Sequence, residues 1–177
     1  MMHGSLNIIP YGKLNGAWTL TDAEVCGLFA RIAREGLDRW VFLGGPVRSA
    51  REFVGMMQGG NRMFAVTDRD VIKGIFWLNN MMQKHCQVHF CVFREAWGRL
   101  ATSMGKHVLN YLLQTRAQEG QYLFDCVLGP VPEHNAMAMA FASRVGMRLA
   151  GRVPGMIFDH HLGRSVAACL FYATREG

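Results

Sequence analysis

The chain has 177 residues, half of them hydrophobic and only 18% charged, a balance that excludes a disordered polyelectrolyte and supplies one domain with a sizeable core. Its net charge is +6, but the nineteen basic residues, fifteen of them Arg, form no consecutive run. The stripe of a nucleic-acid-binding surface is therefore missing, and a modest positive field suits a phosphate-bearing ligand instead.

The five cysteines, Cys26, Cys86, Cys91, Cys126 and Cys169, sit inside apolar runs with no C-x-x-C pair. They read as small buried hydrophobes in a reducing compartment. Met1 to Gly16 has no apolar core followed by a small-residue cleavage site, and no apolar run reaches membrane length. The expectation is a soluble, cytoplasmic, single-domain protein over residues 1–177, without a nucleic-acid or membrane partner. Oligomeric state is open, a homodimer included.

In chain order, Leu6 to Pro10 predicts a short strand and YGKLNG a turn. Thr21-Asp22 starts a helix that Thr19 or Thr21 can cap, with Asp22 and Glu24 at its positive end and Val25, Leu28, Phe29 and Ile32 inward; Gly36 ends it. WVFLGG, from Trp40, predicts a strand-like link, and Pro46 opens a helix to about Met57. Three strands follow as an antiparallel meander: Arg62 to Thr67, Val71 to Asn79 after the turn Asp68-Arg69-Asp70, and Cys86 to Phe93.

From about Leu100, apolar Leu100, Met104, Val108, Tyr111 and Leu112 recur with a helical period. Between strand and helix lies a small-residue turn with Arg94, Gly98, Arg99, Ala101, Thr102, Ser103 and Gly105. Such a junction gathers free backbone N–H groups that suit a phosphate, although an ordinary strand–helix junction would carry the same residues. Gly120 is expected to stop this helix. Tyr122 to Leu128 predicts a strand, Pro130 and Pro132 break the chain, and Asn135 to Val145 is a helix ended by Gly146. Met147 to Val153 is a strand, Pro154 to Arg164 a long loop or ragged hairpin, and Ser165 to Thr174 the last strand. The strand–helix–strand unit implies one parallel pair, and two strands that start parallel and splay would leave a slot for an extended ligand. The expected class is α/β, with a mixed twisted sheet of about seven strands and helices on both faces.

This element order resembles that of the GCN5-related N-acetyltransferases. The run Ser103-Met104-Gly105-Lys106-His107-Val108-Leu109 is similar to that family's G-x-G-K-x-L-L, and Asn135 with Ala138 and Gly146-Met147 is similar to its N-x-x-A…G-F signature. The turn Ala96-Trp97-Gly98 looks nearest to phage-encoded and bacterial members. The resemblance implies acetyl-CoA as cosubstrate and direct acetyl transfer to an amine of a small molecule or peptide. It implies Trp97, Gly98, Arg99, Leu100, Ala101, Thr102, Ser103, Met104 and Gly105 for the pyrophosphate. A backbone N–H near Cys91, Val92 and Phe93 would polarise the thioester, and Val92, Phe93 and Asn135 would meet the pantetheine arm. Ser103 stands where the family has its first loop Gly, and Ala142, beside Phe141, where many members carry a general-acid Tyr.

For the proton, His89 is the first candidate base because histidine titrates near neutral pH, with Glu95 second. A hydrogen-bonded structural His and a solvated carboxylate are the plainer readings of the two. Asp159-His160-His161 is not a metal site by spacing, since adjacent extended residues point apart; it reads as a solvated loop. Cys91 has no activating His–acid pattern and reads as packing. A second function class stays open: a non-catalytic member of the fold serving binding or structure, for instance phage-associated.

Overall fold

The computed structural model describes residues 5–45, 47–117 and 119–175. In chain order these form β1 (Leu6–Pro10), β2 (Gly12–Leu14), β3 (Ala17–Leu20), α1 (Asp22–Arg34), α2 (Asp38–Val41), α3 (Ala50–Gln58), β4 (Arg62–Asp68), β5 (Val71–Met82), β6 (His85–Val92), α4 (Arg99–Gln114), β7 (Cys126–Pro132), α5 (Ala136–Arg144), β8 (Arg148–Asp159) and β9 (Arg164–Thr174). Seven strands make one mixed sheet in the order β1-β4-β5-β6-β7-β9-β8, with β2 and β3 as a separate pair. This is the expected α/β class, a sheet flanked by helices.

The chain divides into two compact units, one built on β1, α1, α3 and β4, the other on α4, β7, α5, β8 and β9. In the first, Val25, Leu28 and Ile32 of α1 and Phe53, Val54 and Met57 of α3 form one core with Met63, Ala65, Ile75 and Trp77 of the strands. Each fully buried Val, Leu, Ile, Phe or Met side chain among them contributes roughly 1.5–3 kcal/mol. A capping box fixes the start of α1: Thr21 Oγ1 accepts from Glu24 N–H, and the Glu24 carboxylate accepts from Thr21 N–H. In the second unit, Met104, Val108, Leu109, Leu112 and Leu113 of α4 are buried along one stripe.

Several local expectations are corrected. YGKLNG is a β2–β3 hairpin, turned by Asn15 and Gly16 at φ 52° and 83°, the pairing a tight hairpin favours. The Trp40 segment is helical, not strand-like: α2 turns Phe42 into a cluster with Phe29 and Phe53, with centroids 5.6–6.2 Å apart. Pro46, expected to open a helix, lies outside the described residues; α3 starts at Ala50, capped by Ser49. α4 ends at Gln114, so Gly120 does not stop it. β8 continues through Pro154 to Asp159, with register shifts and as the sheet's last strand, where a missing ladder N–H is tolerated.

The expected strand Tyr122–Leu128 lies instead at Cys126–Pro132, so Pro130 and Pro132 are inside it. Geometry explains this. β7 pairs with β9 along its whole length, from Cys126↔Thr174 to Pro132↔Ala168. Its parallel register with β6 covers only His85↔Cys126, Cys86↔Val127 and Gln87↔Leu128. Glu133 N–H donates to Ala167 O on β9, so by strand alternation the nitrogens of 130 and 132 face the other edge. There a ladder needs N–H groups that proline lacks.

Candidate active site

α4 is introduced by Gly98 at φ 92°, ψ −129°, a conformation open in practice only to glycine. No side chain caps the helix, and the first intrahelical bond is Thr102 N–H to Gly98 O. The amides of Arg99, Leu100 and Ala101 therefore precede the helical ladder and carry the positive end of the helix dipole. Arg99, Ser103 and Lys106 are exposed and, at spacings of four and three, share one face. Thr102 and Ser103 donate their hydroxyls back to Gly98 O and Arg99 O, at 3.3 and 3.1 Å. Ala101, Met104 and Gly105 are buried in the second unit. A Cβ on Gly105 would stand 2.4 Å from Val145 and 2.8 Å from Phe141, so this glycine permits close packing of α5 on α4. The small-residue stretch 99–105 is thus the first two turns of a helix, not a turn before it.

β6 supplies the other candidates. Its burial alternates through Cys86 and Val88, then resumes at Cys91 and Phe93 after a change of phase. Phe93 is fully buried under the Arg31 guanidinium, and its N–H donates to Lys73 O on β5. The N–H of Val92 therefore points away from β5. Val92 O accepts from Trp97 Nε1 at 2.9 Å, and Arg94 lies over the Trp97 ring. This indole ties the turn after β6 back to the strand's last residue.

Solved structures now bear on the fold. No family model and no curated protein matches the sequence. An acetyltransferase from Salmonella typhimurium that modifies the N-terminal serine of a 50S ribosomal subunit protein is similar over 96% of this chain and 94% of its own, with TM-score 0.75 and 13% identity. Spermidine N-acetyltransferase from Vibrio cholerae, in complex with CoA and spermine, is similar over 97% and 96%, with TM-score 0.72 and 15% identity. A microcin C7 self-immunity acetyltransferase, in complex with acetyl-CoA and AMP, is similar over 87% and 88%, with TM-score 0.69 and 14% identity. The chain has the GCN5-related N-acetyltransferase fold.

Within that fold, His89 stacks on Trp77, with centroids 5.2 Å apart and rings 7° from parallel, and its Nε2 lies 3.1 Å from Asn79 Oδ1. The amide oxygen only accepts, so Nε2 carries the hydrogen. Burial pushes the imidazole down to about 4. Glu95 is exposed and salt-bridged to Arg31 at 2.9 Å and Lys73 at 3.1 Å; those bonds hold its carboxyl below the usual range. Burial raises Cys91 to about 12, so its thiol is protonated at neutral pH and packs rather than attacks. Asn135 caps α5, its side-chain oxygen accepting from Ala138 N–H at 3.0 Å. Asp159 is not in a solvated loop: it is 2% exposed and accepts from the N–H groups of His161 and Leu162.

The periodic reading missed the charged group around β6, in which Glu35 accepts from Arg94 N–H at 2.6 Å and from Arg31 at 2.8 Å. It also missed the approach of His134 to Asp159. Glu35–Arg94 and His134–Asp159 join residues far apart in sequence and leave no spacing to find, whereas Arg31–Glu35 has the i,i+4 spacing of a helical ion pair. Among the described residues no helix is long and apolar enough to cross a membrane.

Proposed function

We propose that this chain is an acetyl-CoA-dependent N-acetyltransferase that moves an acetyl group directly to an amine of a small molecule or peptide. The observation that carries the reading is the start of α4: uncapped amides opened by Gly98, with Arg99, Ser103 and Lys106 on the exposed face. Amides on a helix dipole, joined by two cations, fit a diphosphate. The shared fold of acetyltransferases solved with CoA supports the same reading.

Acetyl-CoA supplies an acyl group already activated as a thioester. The chain's own work is to hold, orient and polarise. Ala101, Met104 and Gly105 set the helix by packing, while Gly98, Arg99, Leu100 and Ala101 offer main chain. Val92 N–H is the donor proposed to polarise the thioester carbonyl, between buried Cys91 and Phe93. By resemblance, Asn135 is assigned to the pantetheine arm and Phe141 to the cofactor site. His89 and Glu95 are poor bases here: one imidazole sits near 4 and the other group is a strongly paired carboxylate.

The test is a thermal titration with acetyl-CoA. At a ligand concentration about 100 times Kd, binding adds about 2.7 kcal/mol and raises Tm by several degrees. Arg99→Pro, tolerated at the first helical position, removes an amide donor and a charge and should weaken that shift. Spermidine and a peptide with an N-terminal serine, the amines named for the similar acetyltransferases, are the acceptor probes for thiol release. An unchanged Tm at millimolar acetyl-CoA sinks the proposal. It would favour a non-catalytic, for instance phage-associated, member of the fold, the reading that Ala142 and Ser103 support at their positions.

A further inference from the structure

Where the chain leaves β6, one guanidinium gathers three parts of the fold. Arg31, in the last turn of α1, donates from Nε to Oε1 of Glu35 at 2.8 Å and from Nη1 to Ile72 O on β5 at 2.9 Å. Its Nη2 lies 2.9 Å from Oε1 of Glu95, and its central carbon 3.8 Å from the centroid of the Phe93 ring. A planar fork with fixed donors makes these contacts together, which a single ammonium cannot.

Glu35, the C-cap of α1, extends the grip. Its Oε2 accepts from Arg94 N–H at 2.6 Å, and its backbone oxygen accepts from Arg94 Nε at 2.7 Å. Burial alone would raise this carboxyl, but the Arg94 N–H and the Arg31 guanidinium outweigh it and hold the group below the usual range. The side chains of Arg31 and Glu35 are only 21% and 15% accessible, so salt screens this pair less than a surface pair. Glu95 is shared with Lys73 Nζ at 3.1 Å, and Lys73 O accepts from Phe93 N–H at 3.0 Å.

These bonds enclose a short run of main chain. Val92 O accepts from Trp97 Nε1, Phe93 N–H donates to Lys73 O, Phe93 O accepts from Ala96 N–H, and Arg94 N–H donates to Glu35. The chain is thus tied at each polar group from Val92 O to Arg94 N. The N–H just before them takes part in none of these bonds. It points away from β5, and the register of β6 with β7 stops at Gln87.

The geometry points to Arg31 and Glu35 as positioning residues for Val92 N–H, the donor proposed above for the thioester carbonyl; the inference rests on that reading. Neither side chain is assigned a contact with the acetyl group. They hold the peptide planes of residues 92–94 so that this N–H keeps one direction. A donor already aimed stabilises the carbonyl oxygen as it gains charge, whereas one that must first turn spends part of that stabilisation on reorganisation.

The thioester carbonyl is itself the reporter. Infrared difference spectra of unlabelled acetyl-CoA and acetyl-CoA isotope-labelled at the carbonyl carbon, each bound to the full chain, isolate its stretch. A hydrogen bond that polarises the carbonyl moves that stretch to lower frequency, and the reading needs no acceptor. The unaltered chain should show a Tm raised by acetyl-CoA and a stretch below that of free acetyl-CoA. Arg31→Met keeps an apolar stem but removes every donor of the fork; it should retain the Tm rise and lose most of the downshift. Glu35→Gln offers one amide oxygen to two donors and should lose part of the downshift; it carries the measurement should Arg31→Met not fold. With spermidine or the peptide with an N-terminal serine, whichever the unaltered chain acetylates, Arg31→Met should lower kcat by about tenfold to a hundredfold with the KM for acetyl-CoA unchanged. No Tm rise in the unaltered chain overturns the acetyltransferase reading and this inference with it. A Tm rise without a downshift overturns the Val92 donor and its positioning but leaves acetyl-CoA binding in place. A downshift kept in full by a folded Arg31→Met or Glu35→Gln overturns the positioning alone.

Discussion

His89 combines a stacked ring, a single hydrogen bond to Asn79 and burial that holds its imidazole near 4. The fold therefore keeps this side chain neutral, while the unfolded chain protonates it near the ordinary histidine value of about 6.5. Below that value the unfolded state binds a proton the folded state refuses, so stability is lost as pH falls from about 6.5 to about 4. The shift corresponds to roughly 3 kcal/mol at its limit. Urea midpoints at pH 7, 5.5 and 4.5 should fall in the unmodified protein, and His89→Gln, which keeps a donor toward Asn79 but does not titrate, should lose that part of the slope. An equal slope in both proteins would mean that His89 is not the group responsible. The same neutrality explains why a histidine picked out by its side-chain chemistry is a weak proton acceptor in place: sequence displays the imidazole, but its burial arises from Trp77 and the surrounding strands.

At the scale of elements, Gly105 shows how a motif can carry packing information. A glycine inside a sixteen-residue helix costs about 1 kcal/mol relative to alanine, yet here it lets Phe141 of α5 and Val145 just after it reach the α4 backbone. Gly105→Ala regains that propensity but forces a Cβ to 2.4 Å from Val145 Cγ1, and overpacking of this kind costs about 1–3 kcal/mol. The expected outcome is a lower Tm; an equal or higher Tm would show that α5 shifts freely. The three amphipathic or capped helices α1, α4 and α5 were legible: the Thr21–Glu24 box, the Asn135 cap and the α4 stripe follow from local pattern, whereas the short α2 was not. Strands with proline were not. Pro130 and Pro132 suggest a break when read alone, and only the one-sided ladder of β7 with β9 shows how a strand accommodates them. The turn at Asn15-Gly16 was read from the sequence, but the hairpin strands on either side of it were overlooked, although that dipeptide is itself a hairpin signal. The His134–Asp159 approach was not legible, since it depends on β8 running through Pro154 to its end.

For the whole molecule, the chain passes between its two compact units at Asn79–Asn80, Val88–His89 and Trp97–Gly98. The first of these crossings lies within β5 and the second within β6. We propose that residues 1–177 act as one folding domain, which predicts melting in a single transition. Two thiols report on this. Cys86 lies in one unit and Cys91 in the other, both are buried, and burial lifts each to about 12, so alkylation near pH 8 requires opening of the structure around each. Iodoacetamide labelling across a urea series, read by mass spectrometry, should give the two cysteines one midpoint and one slope. Cys26, Cys126 and Cys169, all half-buried, serve as controls that label earlier. A lower midpoint at Cys91 than at Cys86, or the reverse, would show two domains that unfold in turn, and the strands β5 and β6 would then have to fray at the point where the boundary crosses them.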